Sequence, residues 1–353
     1  MPSLDRDWRD LWSSWDAVTK GMISEAELLA KPIQLRNACI FYLGHIPCFM
    51  DMHLTHAGHG LPTEPANFWG IFERGIDPDV DNPDHCHAHS EIPDTWPPLD
   101  QILAYQVRVR ERVRQQYEKG LDKSDRRVGR ALWLGFEHEI MHLETLLYML
   151  LQSDRTLTPP GTTRPDFETM AHQAKVEAVP NEWFTIPDGV VTLGLDDPET
   201  DDGPDRYFGW DNERPPRRVD VRAFVAKARP ITNEEYASYL EETHSDKSPA
   251  TWVQQMDRDL AIMQATQLDG SSSPSADFLM GKAVRTVYGL VPLAQALSWP
   301  VMASYDELRR YATWMDSRIP TLEEVRRIYR YVDAIKVKET NQVLAKRIAA
   351  VNG

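Results

Sequence analysis

The sequence RRVGRALWLGFEHEIMHLETLLYML, residues 126–150, decides the fold class of the first half of this chain. Within it His138 and His142 are four residues apart, so both imidazoles leave one face of an α-helix about one turn apart. The other residues of that face are apolar or small and direct the pair into a helix-bundle interior: Leu134, Gly135, Thr145, Leu146 and Met149. Two buried imidazoles need a partner, and one divalent cation satisfies both. The stretch therefore predicts a metal-binding helix; the alternative is a pair of core histidines bonded to carboxylates.

Residues 138–142, HEIMH, also match the H-E-x-x-H pattern of zinc hydrolases, in which the glutamate is the general base. The extended form of that pattern requires glycine where Thr145 stands and a third histidine where Tyr148 stands. Glu168 is available as a downstream ligand, but it follows a stretch with the composition of a linker. A zinc hydrolase is therefore the second interpretation of the motif.

A metal site with two ligands from one helix needs a further ligand from elsewhere, and His45 is the best candidate. It lies in the strongly apolar stretch 33–54, which we interpret as a long helix with Pro32 in its first turn. Pro47 removes one backbone donor from this helix and predicts a kink close to His45. The alternating cluster at 85–89, HCHAH, lies in a loop rich in proline and aspartate and is the weaker candidate for a metal site.

Composition limits the class of protein. The chain has 353 residues, 42% of them hydrophobic and 26% charged, which is typical of a soluble globular protein with room for two domains. A net charge of −15 and the lack of a Lys/Arg run argue against nucleic acid or an anionic membrane surface as partner. Three cysteines without C-x-x-C spacing indicate neither a disulfide framework nor a cysteine zinc site. Because the sequence has no signal peptide and no run long enough to span a membrane, we expect a soluble cytoplasmic protein.

The pattern of helices predicts two domains of different class. Residues 1–155 carry four main helices joined by loops, which describes a four-helix bundle with metal ligands directed into its core. Residues 156–180 form the predicted linker, because Pro, Thr and Gly cluster near its start. Residues 181–353 are predicted to form a mixed α+β domain.

Two local signals support that second domain. The stretch 183–194 suggests two short strands about a Pro-Asp-Gly turn. Near the end, Thr321 and Glu324 have the spacing of a capping box and predict the start of a helix.

These features together resemble a known family. The first domain has Gly44-His45-Ile46-Pro47 in one helix and His138-Glu139-x-x-His142-x-Glu144 in a later one, and it resembles the DinB-like bundle of the ergothioneine-biosynthesis sulfoxide synthases. The second domain resembles the formylglycine-generating-enzyme, or sulfatase-modifying-factor, fold of the same enzymes. Four stretches carry this likeness: FGWDNE at 208–213, PITNEEY at 230–236, WPVM at 299–302 and RIPT at 318–321. The likeness is to the synthase part of the bifunctional fungal enzymes, without their methyltransferase domain.

The resemblance implies a mononuclear non-haem iron(II) held by His45, His138 and His142. Three neutral imidazoles on one side of an octahedral ion leave positions for a thiolate, a second substrate's imidazole and O₂. The implied reaction joins hercynine to cysteine or γ-glutamylcysteine by a C–S bond and oxidises the sulfur to the sulfoxide. Glu139 and Glu144 are expected behind the ligands or in structural positions, and zinc is the alternative metal.

One departure from the family bears on activity. In the family the second fold continues beyond the R-[IL]-P-T helix into a G-x-V-W-E-W-like segment that lines the substrate cleft and supplies a catalytic tyrosine. This sequence ends at Gly353 without such a segment. We therefore expect an incomplete second domain and assign no catalytic residue. A non-catalytic metal-binding relative is a further alternative, and the oligomeric state stays open.

Overall fold

The structure is a computed structural model whose described residues fall into two units. It describes residues 1–33, 36–73, 76–78, 86–88, 93, 95–197, 208–245, 247–254 and 274–351, with the backbone alone at 76–78, 86–88 and 338–351. The first unit comprises Met1–Arg164, Leu195–Arg214 and Thr286–Gly289. The second comprises Pro165–Gly194, Pro215–Arg285 and Leu290–Gly353.

The first unit is helical, as the sequence predicts. A π-helical turn at Leu4–Trp8 leads into a set of helices: α1 (Arg9–Gly21), α2 (Glu25–Leu28), α3 (Cys39–His56), α4 (Phe68–Phe72), α5 (Leu99–Glu118), α6 (Leu121–Ser124) and α7 (Arg126–Leu150). Between α4 and α5 two short strands, β1 (Ile76–Pro78) and β2 (Cys86–Ala88), pair antiparallel. Helix α3 packs against both α5 and α7, which places the two histidine-bearing helices side by side.

Helix α3 begins later than its sequence suggests. The expected first-turn position of Pro32 is wrong, because the helix starts at Cys39 and Ala38 before it is extended, with ψ of 151°. The amide of Cys39 donates to the carbonyl of Ala30 at 3.2 Å, so the chain before the helix folds back in a turn. Pro47 lies inside α3, as predicted.

Helix α7 spans the predicted residues and has a defined start. The carboxylate of Asp125 accepts hydrogen bonds from the amides of Arg127 and Val128, which satisfies two of the unpaired donors at the helix N-terminus. His59 also contacts Asp125, with Nε2 2.9 Å from the carboxylate oxygen. The sequence of α7 thus carries its own start signal directly before the first helical residue.

Large buried side chains fill the core of the first unit. Among them Trp8, Trp15, Phe41, Phe72 and Tyr105 are each at most 2% exposed. Burial of aromatic and aliphatic groups of this size is the main stabilising contribution to such a bundle. Because Phe41 and Phe72 belong to this core, they are held firmly where they meet the histidines.

Asp51 is the polar centre of this core. Its carboxylate is fully buried, forms an ion pair with Arg112 at 2.6 Å, and accepts hydrogen bonds from Trp69 Nε1 at 2.8 Å and the Tyr105 hydroxyl at 3.1 Å. The amide and hydroxyl of Thr63 donate to it as well. One side chain of α3 therefore ties α4, α5 and the loop before α4 to the helix that carries His45.

The second unit is a mixed α+β structure, which confirms the predicted fold class. Its elements are α8 (Phe167–Val176), β3 (Trp183–Ile186), β4 (Gly189–Leu193), β5 (Arg217–Val221), β6 (Phe224–Lys227), α9 (Asn233–Glu242), β7 (Trp252–Gln254), α10 (Ala276–Leu279), β8 (Lys282–Thr286), β9 (Gly289–Pro292), α11 (Tyr305–Trp314) and α12 (Leu322–Val351), except that the terminal residues Thr286 of β8 and Gly289 of β9 are assigned to the first unit. The small sheets pair β3 with β6 and β4 with β5, and in the third sheet β8 lies between β7 and β9. The strands predicted around the Pro-Asp-Gly turn are present, but each pairs in a different sheet.

The last helix of the second unit begins at the predicted capping box. Glu324 accepts from the Thr321 amide at 2.8 Å, and the Thr321 hydroxyl accepts from the Glu324 amide at 3.3 Å. Further along α12, Arg327 donates to the carbonyls of Pro187 and Asp188, so the helix is fixed against the turn between β3 and β4. Across the described residues of both units, none of the helices combines the length and the apolar composition that crossing a membrane requires.

Candidate metal centre

Three histidines from two helices converge inside the first unit. His45 comes from α3, and His138 and His142 come from α7; one ring nitrogen of each lies within 4.8 Å of the others. The ring centroids are 4.9 Å apart for His45 and each α7 histidine, and 4.5 Å apart for the α7 pair. The structure therefore brings together the three residues that the sequence singles out as metal ligands.

The orientation of His45 is set by two neighbours. Its Nδ1 lies 2.7 Å from the carbonyl oxygen of Phe72 at the end of α4. A carbonyl can only accept, so Nδ1 carries the proton and the lone pair of Nε2 is free for a metal. The ring also stacks on Phe41, one turn earlier on α3, with centroids 5.1 Å apart.

The two α7 histidines have no such partner at Nδ1. The Nδ1 atoms of His138 and His142 are buried and accept or donate no hydrogen bond within the described part of the chain. Burial lowers the pKa of all three imidazoles, that of His142 to about 3, so the set is neutral at physiological pH. Neutral, buried and incompletely satisfied imidazoles are the donor set that a divalent transition metal fits.

Aromatic rings cover His138. Phe49, one turn after His45 on α3, stacks on the His138 ring with centroids 3.8 Å apart and an interplanar angle of 14°. Trp210 belongs to the Leu195–Arg214 segment of the first unit, and its ring centroid lies 6.0 Å from that of Phe49 and 6.4 Å from that of His138. These rings shield one side of the centre from water.

A cavity opens on the other side of the centre, and we call it the metal cavity. It has a volume of about 220 Å³ and is lined by Arg36, Tyr42, His45, His142, Thr145, Leu146 and Met149. One water needs roughly 10–15 Å³ by the same measure, so the cavity has room for an organic ligand. A ligand in this cavity would therefore contact the side chains of His45 and His142.

The two glutamates of the motif do not line the metal cavity. Glu139 is buried against a separate cavity of about 10 Å³ beside Trp12 and Gln106, with its carboxylate 3.7 Å from Arg110. Burial raises its pKa to about 7, against the opposing effect of Arg110. Glu144 is exposed on the far side of α7. Within the part of the chain that the structure describes, neither carboxylate hydrogen-bonds or ion-pairs with a histidine of the centre.

The 195–214 segment is fastened to α7 by a buried ion-pair cluster. Asp197 is 5% exposed and pairs with Arg126 at 2.7 Å and with Arg130, while its second oxygen accepts from the Gly209 amide at 2.9 Å. The Phe208 ring packs against both guanidinium groups, with centroid distances of 4.8 and 5.5 Å. The cluster holds Phe208 against α7, two residues before Trp210, whose ring lies near His138.

We predict that Asp197→Asn loosens this segment. Asparagine keeps an acceptor for Gly209 but loses the charge that compensates the two arginines, so local opening should become easier by about 1–3 kcal/mol. Limited proteolysis with mass-spectrometric mapping should show faster cleavage within 195–214. The matched control is Asp211→Asn in the exposed turn of the same segment, which should leave the cleavage rate unchanged. Equal rates in both variants would contradict the role of Asp197.

We predict that Gly44→Ala disturbs the centre through Phe72. A Cβ at Gly44 would lie 2.5 Å from the Phe72 ring, which is buried and whose carbonyl holds His45. The ring must shift, so we expect a loss of about 1–3 kcal/mol in stability and weaker metal binding. Thermal unfolding with and without added metal measures both effects.

Gly70→Ala in α4 is the control for that variant, since a Cβ there meets no atom within 4 Å. Alanine should be neutral or slightly stabilising at this helical position. A Gly44→Ala protein that binds metal as tightly as the parent would show that Phe72 does not orient His45.

Sequence reasoning missed several groups that surround the centre. Phe49 follows His45 by four residues on the same helix face, which is a usable signal. Trp210 and Arg36 have no comparable signal, because only the folded chain brings them near the histidines. The weaker candidate cluster at 85–89 cannot be compared, since His85 and His89 lie outside the described residues.

Two family models match the chain, each over one part. The DinB superfamily model matches residues 3–146. The model of the sulfatase-modifying factor enzyme 1-like domain matches residues 167–330. The first contains all three histidines and the second begins after α7.

Curated relatives match both parts together. The chain is 56% identical to ergothioneine biosynthesis protein 1 of Neurospora crassa over 361 residues, covering 100% of this chain and 41% of that protein. It is 32% identical to the Schizosaccharomyces pombe protein of the same name, covering 93% of this chain and 42% of that protein. It is 25% identical to hercynine oxygenase of Mycolicibacterium smegmatis over 84% of this chain and 62% of that protein. The chain thus spans less than half the length of the fungal relatives.

Proposed function

We propose that this chain acts in ergothioneine biosynthesis, because it is a homologue of the fungal ergothioneine biosynthesis protein 1. Like that likeness, its two matched parts, a DinB superfamily domain and a sulfatase-modifying factor enzyme 1-like domain, are the premise of the proposal. The proposed reaction is the iron(II)- and O₂-dependent joining of hercynine to cysteine or γ-glutamylcysteine, with oxidation of the sulfur to the sulfoxide. The observation that carries the proposal is the convergence of three neutral imidazoles from α3 and α7, two of them buried and that of His142 half-buried.

The proposed reaction is balanced with O₂ as the only oxidant. The thiol gives up its S–H hydrogen and the hercynine ring gives up a C–H hydrogen as the C–S bond forms. One oxygen atom is kept in the sulfoxide and the other leaves as water, so four electrons pass from the substrates to O₂. Iron(II) held by three imidazoles would supply the activation of O₂ beside a bound thiolate.

The residues of this chain support that chemistry through position and protonation. Burial keeps His45, His138 and His142 neutral, which leaves their lone pairs available as ligands. Phe72 fixes the His45 tautomer through its carbonyl. Phe49 covers His138 and excludes water from one side, while the metal cavity leaves the side of His45 and His142 open to substrates.

The zinc hydrolase is less well supported. A general base must lie within hydrogen-bond reach of the water that it deprotonates. Glu139 is held beside Arg110 in a different cavity from the one that His45 and His142 line. Its position favours a structural role, in which Glu139 and Arg110 join α7 to α5.

Anaerobic reconstitution tests the proposal. The chain is loaded with iron(II), mixed with hercynine and cysteine, and exposed to O₂, with mass spectrometry for the sulfoxide and an electrode for O₂. We expect product and O₂ consumption only when both substrates are present, and γ-glutamylcysteine in place of cysteine identifies the preferred thiol. Bound iron with neither product nor O₂ consumption would overturn the proposed activity and favour a non-catalytic metal-binding role.

Glu139→Gln separates the proposal from the hydrolase. The proposed reaction predicts that this variant still binds metal and still forms the sulfoxide. A hydrolase predicts retained metal with loss of turnover, because the general base is gone. Loss of sulfoxide formation in a folded, iron-loaded Glu139→Gln protein would therefore count against the proposed assignment of roles.

A further inference from the structure

The metal cavity carries one positive charge besides any metal. Of its seven lining residues, the histidines are neutral, Tyr42 and Thr145 are uncharged polar groups, and Leu146 and Met149 are apolar. Arg36 is the remaining lining residue, and its guanidinium is charged at any physiological pH. No carboxylate belongs to the lining among the residues that the structure describes.

Arg36 is placed to meet a ligand that enters from solvent. Its side chain is exposed, and it has no ion pair with an acidic side chain in the described part of the chain. Its amide donates to the carbonyl of Ile33 at 3.0 Å, which fixes the backbone just before α3. Arg36 lines the same cavity as His45 and His142, so its positive charge faces the space that a ligand would occupy.

We infer that Arg36 binds the carboxylate of an amino-acid substrate whose other end reaches His45 and His142. This inference rests on the proposed function. A guanidinium presents paired N–H donors that match a carboxylate, and it is the side chain best suited to recognise one. The apolar surfaces of Leu146 and Met149 suit the short carbon chain between the two ends.

The carboxylate has two sources in the proposed reaction, because the thiol substrate and hercynine are both amino-acid derivatives. Each has a close analogue that lacks only this group: cysteamine for cysteine, and N,N,N-trimethylhistamine for hercynine. Binding that depends on the carboxylate and on Arg36 therefore identifies which substrate Arg36 holds.

Equilibrium binding to the cobalt(II)-loaded chain, without O₂, tests this directly. Thiol binding is followed by the sulfur-to-cobalt absorption band that appears when the thiol is added. For hercynine, the chain is first saturated with cysteamine, and hercynine binding is followed by the change that it causes in the same band. We expect either cysteine to bind about 10- to 100-fold more tightly than cysteamine, or hercynine to bind by the same factor more tightly than N,N,N-trimethylhistamine. We expect Arg36→Gln to remove this difference. Arg36→Lys should restore part of it, because the charge is kept and the paired geometry is lost.

Arg155→Gln is the matched control, because Arg155 is an exposed arginine outside the metal cavity. It should bind all four ligands as the parent does. If Arg36→Gln also matches the parent for all four ligands, the inference is wrong while the proposed function stands. If the parent shows no sulfur-to-cobalt band with either thiol, the proposed function fails and the inference fails with it.

Discussion

Replacing His138 with alanine is expected to abolish tight metal binding and, with it, the proposed sulfoxide formation. His138 is 7% exposed and its ring lies between those of His45, His142 and Phe49, so alanine removes one of the three converging imidazoles. Loss of a group that merely supports a ligand typically costs 10–100-fold in metal affinity. Loss of one of three ligands should cost more than about 100-fold.

The measurement is metal content after desalting, together with the shift in unfolding temperature caused by added iron(II) or cobalt(II). A metal that binds the native state at 100 times its dissociation constant stabilises it by about 2.7 kcal/mol. We expect this shift in the parent and none in His138→Ala. Because the shift compares each protein with itself, it separates loss of metal binding from loss of stability.

His172→Ala is the control, since this histidine is exposed on α8 and lies outside the cluster. It should bind metal as the parent does. A metal-induced shift of equal size in His138→Ala would show that the three histidines are not the binding site.

Asp51→Ala is expected to destabilise the first unit strongly. It removes a fully buried carboxylate that pairs with Arg112 and accepts from Trp69, Tyr105 and Thr63. Removing one partner of a buried pair leaves an uncompensated charge and costs about 3–5 kcal/mol. Urea unfolding followed by circular dichroism should show this loss in the transition of the helical unit.

Asp51→Asn and Asp10→Ala complete this test. Asparagine keeps acceptors for some of the donors, so its loss should be smaller than that of alanine. Asp10 is exposed on α1 with its side chain 62% accessible, and its replacement should change stability by less than about 0.5 kcal/mol. An Asp51→Ala protein as stable as Asp10→Ala would show that this network does not hold the bundle together.

Features encoded by neighbouring residues could be predicted from the sequence. The span of α7, its inward histidine pair and the capping box at Thr321 all follow from residues within a few positions of one another. The membership of His45 in the cluster was also predicted, because two imidazoles from one helix need a further ligand and His45 lies in a strongly apolar stretch.

Features that depend on distant contacts could not be predicted in this way. The strands β3 and β4 are adjacent in sequence, yet their paired residues lie 38 to 44 positions further on in β6 and 24 to 32 positions further on in β5. The start of α3 depends on a backbone bond from Cys39 to Ala30 and not on the proline that precedes it. Arg36 and Trp210 reach the neighbourhood of the histidines only through the folded chain.

The place of the 195–214 segment limits how these two domains can be exchanged. In sequence this segment lies inside the region matched by the second family model, and in space it belongs to the helical unit through Asp197, Arg126 and Arg130. A gene cut between the two family matches would give a bundle without the carboxylate that its own α7 arginines require. The two halves are thus not modules that recombination can shuffle freely, and a chimera should take the bundle together with the segment that fastens to it.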